Sequence, residues 1–372
     1  MDTEELVALA LTIQCIPSPT FDEHDRAEFV RGEFARAGLK DIQIDPTGNA
    51  LGRIGDPGEP ALLVSAHMDS IFARDALRPA QRTGNRLRGP GIGDNALGLA
   101  ALVGLARELP RMSLQTPVWL AGTVGEEGLG NLRGMRALVE RFGSQVSAYL
   151  VIEGMSLGSV YHRGLPARRL RITVTTPGGH SWTHAGQPSA THELVRIAER
   201  LIRLPLPARP RTTLNIGLLE GGTAINAIAA QASMELDLRS EDETVVAALE
   251  ASVVQHAAAV AIPDVQVHCK SIGLRPGGGI PSDHPLVDAA LRSLQASGIE
   301  EVHLGAGSTD ASLPLSQGHA SVCVGVTRGS RAHTLDEEIE VEPIAQGYAA
   351  LRRLVQEAAS LARQPNPAPH PR

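Results

Sequence analysis

The sequence predicts an α/β fold: a mostly parallel sheet, interrupted by an inserted ferredoxin-like α+β domain. Three observations carry this. Strand-like and helix-like runs alternate up to about residue 160, the rhythm of a parallel layer. The middle of the chain follows the order β-α-β-β-α-β. Turn-forming residues frame that middle part, Gly164-Leu165-Pro166 before it and Pro276-Gly277-Gly278-Gly279 after it.

Taken in order, Thr20-Phe21-Asp22-Glu23 has the S/T-x-x-E form of a helix capping box. Ala27, Val30, Phe34 and Ala37 then recur at helical spacing, and Gly38 is a natural stop. Apolar runs of strand type follow at Ala61–Ala66, Pro117–Thr123 and Ala148–Glu153, separated by helix-like Ala96–Leu109 and Leu132–Phe142. In the middle, Leu170–Thr175 reads as a strand, His192–Ile202 as a helix, and Thr212–Leu219 and Gln231–Arg239 as alternating strands. Glu243–Val260 reads as a helix and Val265–Ser271 as a strand, which places the inserted domain at residues 165–274. The α/β layer resumes through Leu286–Ala296, Ala320–Val326 and Pro343–Leu361, so the first domain is discontinuous, residues 1–164 and 275–363. Residues 364–372 contain four prolines and read as a flexible tail.

Composition narrows the function classes. At roughly 150 residues per domain, 372 residues fit about two domains. A 42% hydrophobic, 20% charged chain is globular. The net charge of −7 argues against a nucleic-acid or anionic-membrane partner, and 3% aromatics leave few platforms for stacking bases. No run approaches the ~18 apolar residues of a membrane span. Asp2, Glu4 and Glu5 stand where a secretory signal carries positive charge. Cys15, Cys269 and Cys323 are far apart and form neither a disulfide framework nor a C-x-x-C pair. The expected setting is the reduced cytoplasm.

Chemistry concentrates at strand ends. The first apolar strand leads into His67-Met68-Asp69. Gly91-Ile92-Gly93-Asp94-Asn95 opens a helix, the next strand leads into Gly125-Glu126-Glu127-Gly128, and the one after it ends in Glu153. Ala332-His333-Thr334 comes late. Polar groups at the C-terminal ends of parallel strands meet on one rim. Two histidines with several carboxylates combine borderline nitrogen and hard oxygen donors, a set that suits divalent metals. A pair of metals about 3.5–4 Å apart needs a bridging carboxylate and a carboxylate base. Each feature has a plainer reading by itself: a hydrogen-bonded structural His67, an N-cap Asp94, a solvated Glu126-Glu127 pair. Their joint placement favours a shared site.

This ordered set resembles the co-catalytic di-zinc metallopeptidase family of glutamate carboxypeptidase, peptidase T, acetylornithine deacetylase, succinyl-diaminopimelate desuccinylase and aminoacylase. The resemblance covers nearly the whole chain: the H-x-D strand end, the G-x-x-D-N turn, the G-E-E-G turn, the single acid one strand later, the late A-H-T and the inserted domain. It implies that His67 and Glu153 hold one metal, that Glu127 and His333 hold the other, and that Asp94 bridges them. Asp69 would orient His67 from its other ring nitrogen, and Glu126 would be the general base. Zinc is the expected metal, with manganese or cobalt fitting the same donors.

The resemblance extends to the insert, which it implies is a lid and dimerisation domain of a homodimer. Gly178-Gly179-His180-Ser181 resembles the loop whose histidine polarises the substrate carbonyl, from the neighbouring subunit in dimeric members. Gly221-Gly222-Thr223-Ala224-Ile225-Asn226 and Asp237-Leu238-Arg239 resemble segments that hold the substrate's carboxylate or carbonyl, with Asn226 and Arg239 as the contacts. For Arg239 a surface ion pair is the plainer reading. Gly305-Ala306-Gly307-Ser308-Thr309-Asp310 resembles the glycine-rich substrate loop, through Gly307 and Ser308. The implied activity is hydrolysis of amide bonds in short peptides by a di- or tripeptidase-like exopeptidase. Deacylation of N-acyl amino acids is the alternative within the same chemistry.

Other motifs fit less well. Gly91-Ile92-Gly93-Asp94-Asn95-Ala96 matches a loose dinucleotide fingerprint but lacks a strand directly before it. His192-Glu193-Leu194-Val195-Arg196 lacks the second histidine of a zinc helix. Gly154-Met155-Ser156-Leu157-Gly158, with Asp310 and His333 later, gives a serine-hydrolase order, yet no helical pattern follows Ser156. A non-enzymatic metal-binding scaffold would be favoured by a missing ligand or base, and none is missing.

Overall fold

The computed structural model describes residues 1–58, 60–112, 114, 116–260 and 263–362. It divides into two compact units, Met1–Gly164 with Gly278–Arg372, and Leu165–Gly277. The expected tail, 364–372, lies outside the described residues.

The first unit is built on a nine-stranded sheet. Its order is Lys40–Ile44, Ala50–Ile54, Val118–Thr123, Ala61–His67, Val146–Glu153, Ser321–Gly325, Ser159–Gly164 and Gly278–Gly279, with His303–Gly307 also paired to Ser159–Gly164. Sequence alternation predicts a mostly parallel sheet, but the sheet is mixed. Only the centre, from Val118–Thr123 to Ser321–Gly325, is parallel throughout. Both flanks contain antiparallel pairs. The reason is connection length, since a parallel pair needs a long crossover. Lys40–Ile44 returns directly into Ala50–Ile54 through a turn in which the Asp45 carboxylate accepts from the N–H groups of Thr47, Gly48 and Asn49. Ser159–Gly164 follows Val146–Glu153 with no helix between them.

The central strand Ala61–His67 is buried along its whole length because helices cover both faces. Its alternate residues enter opposite cores. Leu62, Val64 and Ala66 pack with helices Thr3–Gln14, Leu97–Glu108 and Ile344–Leu361. Ala61 and Leu63 join Met135, Leu138 and Phe142 of helix Arg133–Phe142. The strand is thereby fixed in register, and its polar end, His67, has one place to go.

The second unit is an antiparallel sheet in the order Thr212–Gly221, Gln231–Ser240, Ala167–Thr175, Gln266–Arg275. Helices Ala190–Ile202 and Glu243–Ala258 pack Leu194, Ile197, Val246 and Val253 on Leu170, Ile172, Met234 and Leu236. This is ferredoxin-like connectivity. The sequence bound at Leu274 falls inside the last strand, which pairs Arg275 with Ala167. The unit therefore ends at Gly277.

The capping box expected at Thr20–Glu23 does not form. Helix His24–Arg36 begins after Glu23, whose side chain makes no cap bond. Both polar side chains are used by the site described below. Among the described residues no helix is long and apolar enough to cross a membrane.

Candidate metal centre

Three strand ends and two loops of the first unit bring the acids and histidines together. His67 closes Ala61–His67 and Glu153 closes Val146–Glu153. Asp94 lies between them, and its two oxygens face different histidines. Oδ1 is 3.0 Å from His67 Nε2, and Oδ2 is 3.1 Å from His333 Nε2. Glu153 Oε2 lies 3.5 Å from His67 Nε2, and Glu127 Oε1 lies 3.3 Å from His333 Nε2. Donor atoms of His67, Asp94 and Glu127 all fall within 4.8 Å of one another. The five expected ligands thus form two histidine–glutamate pairs sharing one aspartate.

The turns that present these groups are held by buried carboxylates. Asp69 accepts the main-chain N–H of Glu126 and of Glu127, each at 2.9 Å. Its carboxylate also takes the Thr20 hydroxyl. Glu23 accepts the N–H of Gly125 at 3.0 Å and pairs with Arg133. Three consecutive N–H groups of the G-E-E turn are therefore fixed from outside. Gly125 has φ 64°, which a side chain would disfavour. The family resemblance implies that Asp69 orients His67. The carboxylate stands 3.6 Å from His67 Nδ1, while the main-chain carbonyl of Asp69 is nearer, at 3.1 Å. The side chain's hydrogen bonds go chiefly to the turn that carries Glu126 and Glu127.

Asn95 does the same for Glu153. Its Nδ2 donates to Ile152 O at 2.9 Å, and its Oδ1 accepts Gly154 N–H at 2.7 Å, so it grips the chain on both sides of Glu153. A Cβ on Gly154 would stand 2.2 Å from Gly93 O, so only glycine lets the Asp94 turn pack onto that strand end. Buried Arg26 donates to Met68 O and Ile16 O, securing the link between His67 and Asp69. Glu23 and Arg26 support these turns and have no sequence signature as site residues, whereas Asn95 lies within the G-x-x-D-N turn that the sequence marks.

Too many carboxylates share this space for all to ionise without a cation. Burial pushes Glu153 up to about 8 and Glu127 up to about 7. It does the same to Asp310, to about 7, with the charge of Glu126 adding to it. Burial also raises Asp94, but hydrogen bonds from His333 and His67 outweigh it and hold this carboxyl below the usual range. Hydrogen bonds to Asp94 and Glu127 push His333 up to about 10. Burial opposes a charged His67, yet Glu153, Asp69 and Asp94 prevail and hold its pKa well above the ordinary value. Protons therefore occupy positions that a dication would fill, and ligation must displace them. Adding Zn2+ at about pH 7 is expected to release protons, and affinity should fall as pH is lowered from about 8 to about 6, because protons then occupy more of the same groups. Calorimetry in buffers of different ionisation enthalpy checks this. Heats independent of buffer, with affinity independent of pH, would contradict it.

Glu126 is buried in the same cluster, and its charge helps raise Glu127, Glu153 and Asp310. Gly307 ends strand His303–Gly307 and Ser308 follows it. The same loop reaches Asp310, which accepts the Thr123 hydroxyl at 2.6 Å.

The remaining expected residues belong to the second unit. Gly179–His180 pairs with Ala227–Ile228, and Ser181 N–H donates to Asn226 O at 3.0 Å, so His180 and Asn226 are neighbours. His180 Nδ1 accepts the N–H groups of Trp182 and Thr183, at 3.1 and 3.3 Å. In the neutral ring this places the proton on Nε2. A cleft of about 670 Å³ opens beside this ladder, lined by Gly178, Gly221, Thr223, Gln231 and Ser233. Arg239 stands toward the other end of strand Gln231–Ser240, with its guanidinium engaged by Asp237 at 2.6 Å. That is the ion pair which the alternating strand makes the plainer reading.

The serine arrangement does not assemble. Ser156 has φ 71°, as an elbow serine would. However, the chain continues into strand Ser159–Gly164, Asp310 bonds Thr123, and His333 faces Asp94 and Glu127.

Residues 63–357 match the family model described as Peptidase family M20/M25/M40. A probable carboxypeptidase of Aspergillus clavatus is 29% identical over 211 residues, 48% of this chain and 44% of that protein. A succinyl-diaminopimelate desuccinylase of Corynebacterium glutamicum is 25% identical over 369 residues, 94% of this chain and 96% of the relative. Among solved structures, a tripeptidase from Staphylococcus aureus has a TM-score of 0.76 at 21% identity, covering 97% of this chain and 99% of that one. At that identity the likeness is one of fold.

Proposed function

This chain belongs to peptidase family M20/M25/M40, and from that footing we propose that it hydrolyses amide bonds of short peptides with two bridged divalent metals. The observation that carries the reading is the Asp94 carboxylate, whose two oxygens face His67 and His333 at 3.0 and 3.1 Å. A carboxylate so shared, with a glutamate beside each histidine, is the donor set of a bridged pair. His67 and Glu153 would hold one ion, His333 and Glu127 the other, and zinc suits this mixture of nitrogen and oxygen. Bound there, the metals would supply Lewis acidity for the amide carbonyl and lower the pKa of the attacking water.

The chain's own groups supply the rest. Glu126, held by Asp69 through its N–H, would take the proton as water oxygen bonds to the carbonyl carbon. As the C–N bond breaks, the same carboxyl would pass that proton to the departing amine. Gly125 and Gly128 flank the two glutamates, and the external clamps on the turn let adjacent side chains serve as base and ligand. His180, with its proton on Nε2, is assigned as hydrogen-bond donor to the substrate carbonyl. Asn226, Gly307 and Ser308 are assigned to the substrate's polar groups.

We further propose that the second unit acts as lid and dimerisation domain of a homodimer. Its edge strand Thr212–Gly221 leaves Leu218 and Leu219 exposed. Three free cysteines fit a reducing cytoplasm.

Deacylation of N-acyl amino acids is the second reading, favoured by the relative named as a desuccinylase. Turnover of dipeptides, tripeptides, blocked peptides and acetylated amino acids, with and without a chelator, separates the two. Peptide turnover abolished by chelation and restored by Zn2+ is expected. Turnover confined to acetylated amino acids would favour the deacylase. Chelator-resistant turnover with fluorophosphonate labelling of Ser156 would refute both.

A further inference from the structure

One buried acid near the centre is neither a ligand nor the base. Glu337 lies four positions after His333 and is fully buried. Its Oε1 accepts the N–H of Gly93 at 2.6 Å and of Asp94 at 2.8 Å. Its own carbonyl accepts Gly89 N–H at 2.8 Å, so the residue grips the Asp94 turn at two places. Its other oxygen, Oε2, is buried.

The turn needs such a hold. Asp94 and Asn95 have φ/ψ of −116°/81° and −138°/37°, outside helical values, so regular helix bonds cannot fix them. The segment carrying His333 is equally irregular. Arg331 and His333 have φ 59° and 65°, and the turn closes through Thr334 Oγ1 to Arg331 O and Glu337 N–H to Thr334 O. Two irregular segments, more than two hundred residues apart in sequence, must place Asp94 Oδ2 and His333 Nε2 3.1 Å apart. Glu337 is part of one segment and bonds the main chain of the other.

We propose that Glu337 is a positioning residue that holds the bridging carboxylate of Asp94 in register with His333. The proposal rests on the two-metal reading and assigns this residue a role in forming the bridge. Removing the acceptor strands two buried N–H groups and frees the Asp94 turn. The site that depends on His333, whose segment Glu337 belongs to, should then suffer more than the site held by His67 and Glu153, whose strand end Asn95 still grips.

Cobalt titration of the metal-free full chain tests this, read by visible d–d absorption and equilibrium binding. The parent is expected to take up two Co2+ ions. Glu337→Ala should weaken one of them by about 10–100-fold, the range for loss of a group supporting a ligand, and alter the spectrum. Glu337→Gln should restore binding, because its amide oxygen can still accept two N–H groups. A role in folding alone would lower the melting temperature of the metal-free protein and leave cobalt affinity and spectrum unchanged. Should the alanine variant fail to fold, Glu337→Asp keeps the carboxyl group but shortens the reach, and should weaken the same ion. A folded Ala or Asp variant with the parent's two affinities and spectrum would overturn the proposal alone. A parent chain that takes up no Co2+ would overturn the two-metal reading and the proposal with it.

Discussion

Replacing Glu126 with glutamine is expected to lower kcat by about 10²–10⁴-fold, the usual contribution of a positioned general acid–base group. Metal content and melting temperature should stay near those of the parent. Glutamine has nearly the same shape, so it leaves the N–H bond to Asp69 in place. It cannot accept a proton, so neither the deprotonation of water nor the protonation of the leaving amine is assisted. The substituted position is buried beside Glu127, Glu153 and Asp310, where a neutral amide also relieves like-charge repulsion. Metal binding should therefore not suffer as it would from loss of a ligand. Steady-state kinetics with metal analysis on one sample checks this. Full turnover in the variant would remove Glu126 from the role of base. Loss of both metals would make it a ligand instead.

Asp94→Ala should cost at least as much activity, by a different route. Among the described residues, Asp94 is the side chain that touches both histidines of the cluster. Without it, two histidine–glutamate pairs remain with nothing to share, and each ion would lose a donor and the neutralising charge between them. Both metal affinities should fall, and excess Zn2+ should not restore the parent's kcat. The contrast with Glu126→Gln is diagnostic: one variant retains its metals without turnover, the other loses both. An Asp94→Ala protein that binds two metals as the parent does would show that the carboxylate does not bridge.

The clustered histidines and acids could be read from the chain because strand ends leave local marks. A buried parallel strand is a run of apolar residues, and the polar residue that ends it, His67 or Glu153, stands out against that run. The helix-opening Asp94 and glycine-flanked Glu126-Glu127 are visible for the same reason. The supporting residues leave no such mark. Thr20 and Glu23 carry the mark of a helix cap, since S/T-x-x-E before an apolar helix is a cap signature. They serve Asp69 and the Gly125 turn instead. Glu337 lies among Asp336 and Glu338, and looks like one more solvated acid in an acidic stretch. Its burial and its two bonds come from a segment far away in sequence.

What the sequence by itself determined was the α/β core, the inserted β-α-β-β-α-β segment, and the set of residues delivered to one rim. Those follow from periodicity and from where each apolar run stops, which are short-range properties. Only the tertiary structure decided that the sheet is mixed, that Asp94 turns one oxygen to each histidine, and that Asp69, Glu23, Asn95 and Glu337 clamp the turns around it. A backbone N–H pairs with whichever acceptor the fold brings within about 3 Å, and that choice is made between segments whose separation along the chain carries no record of it.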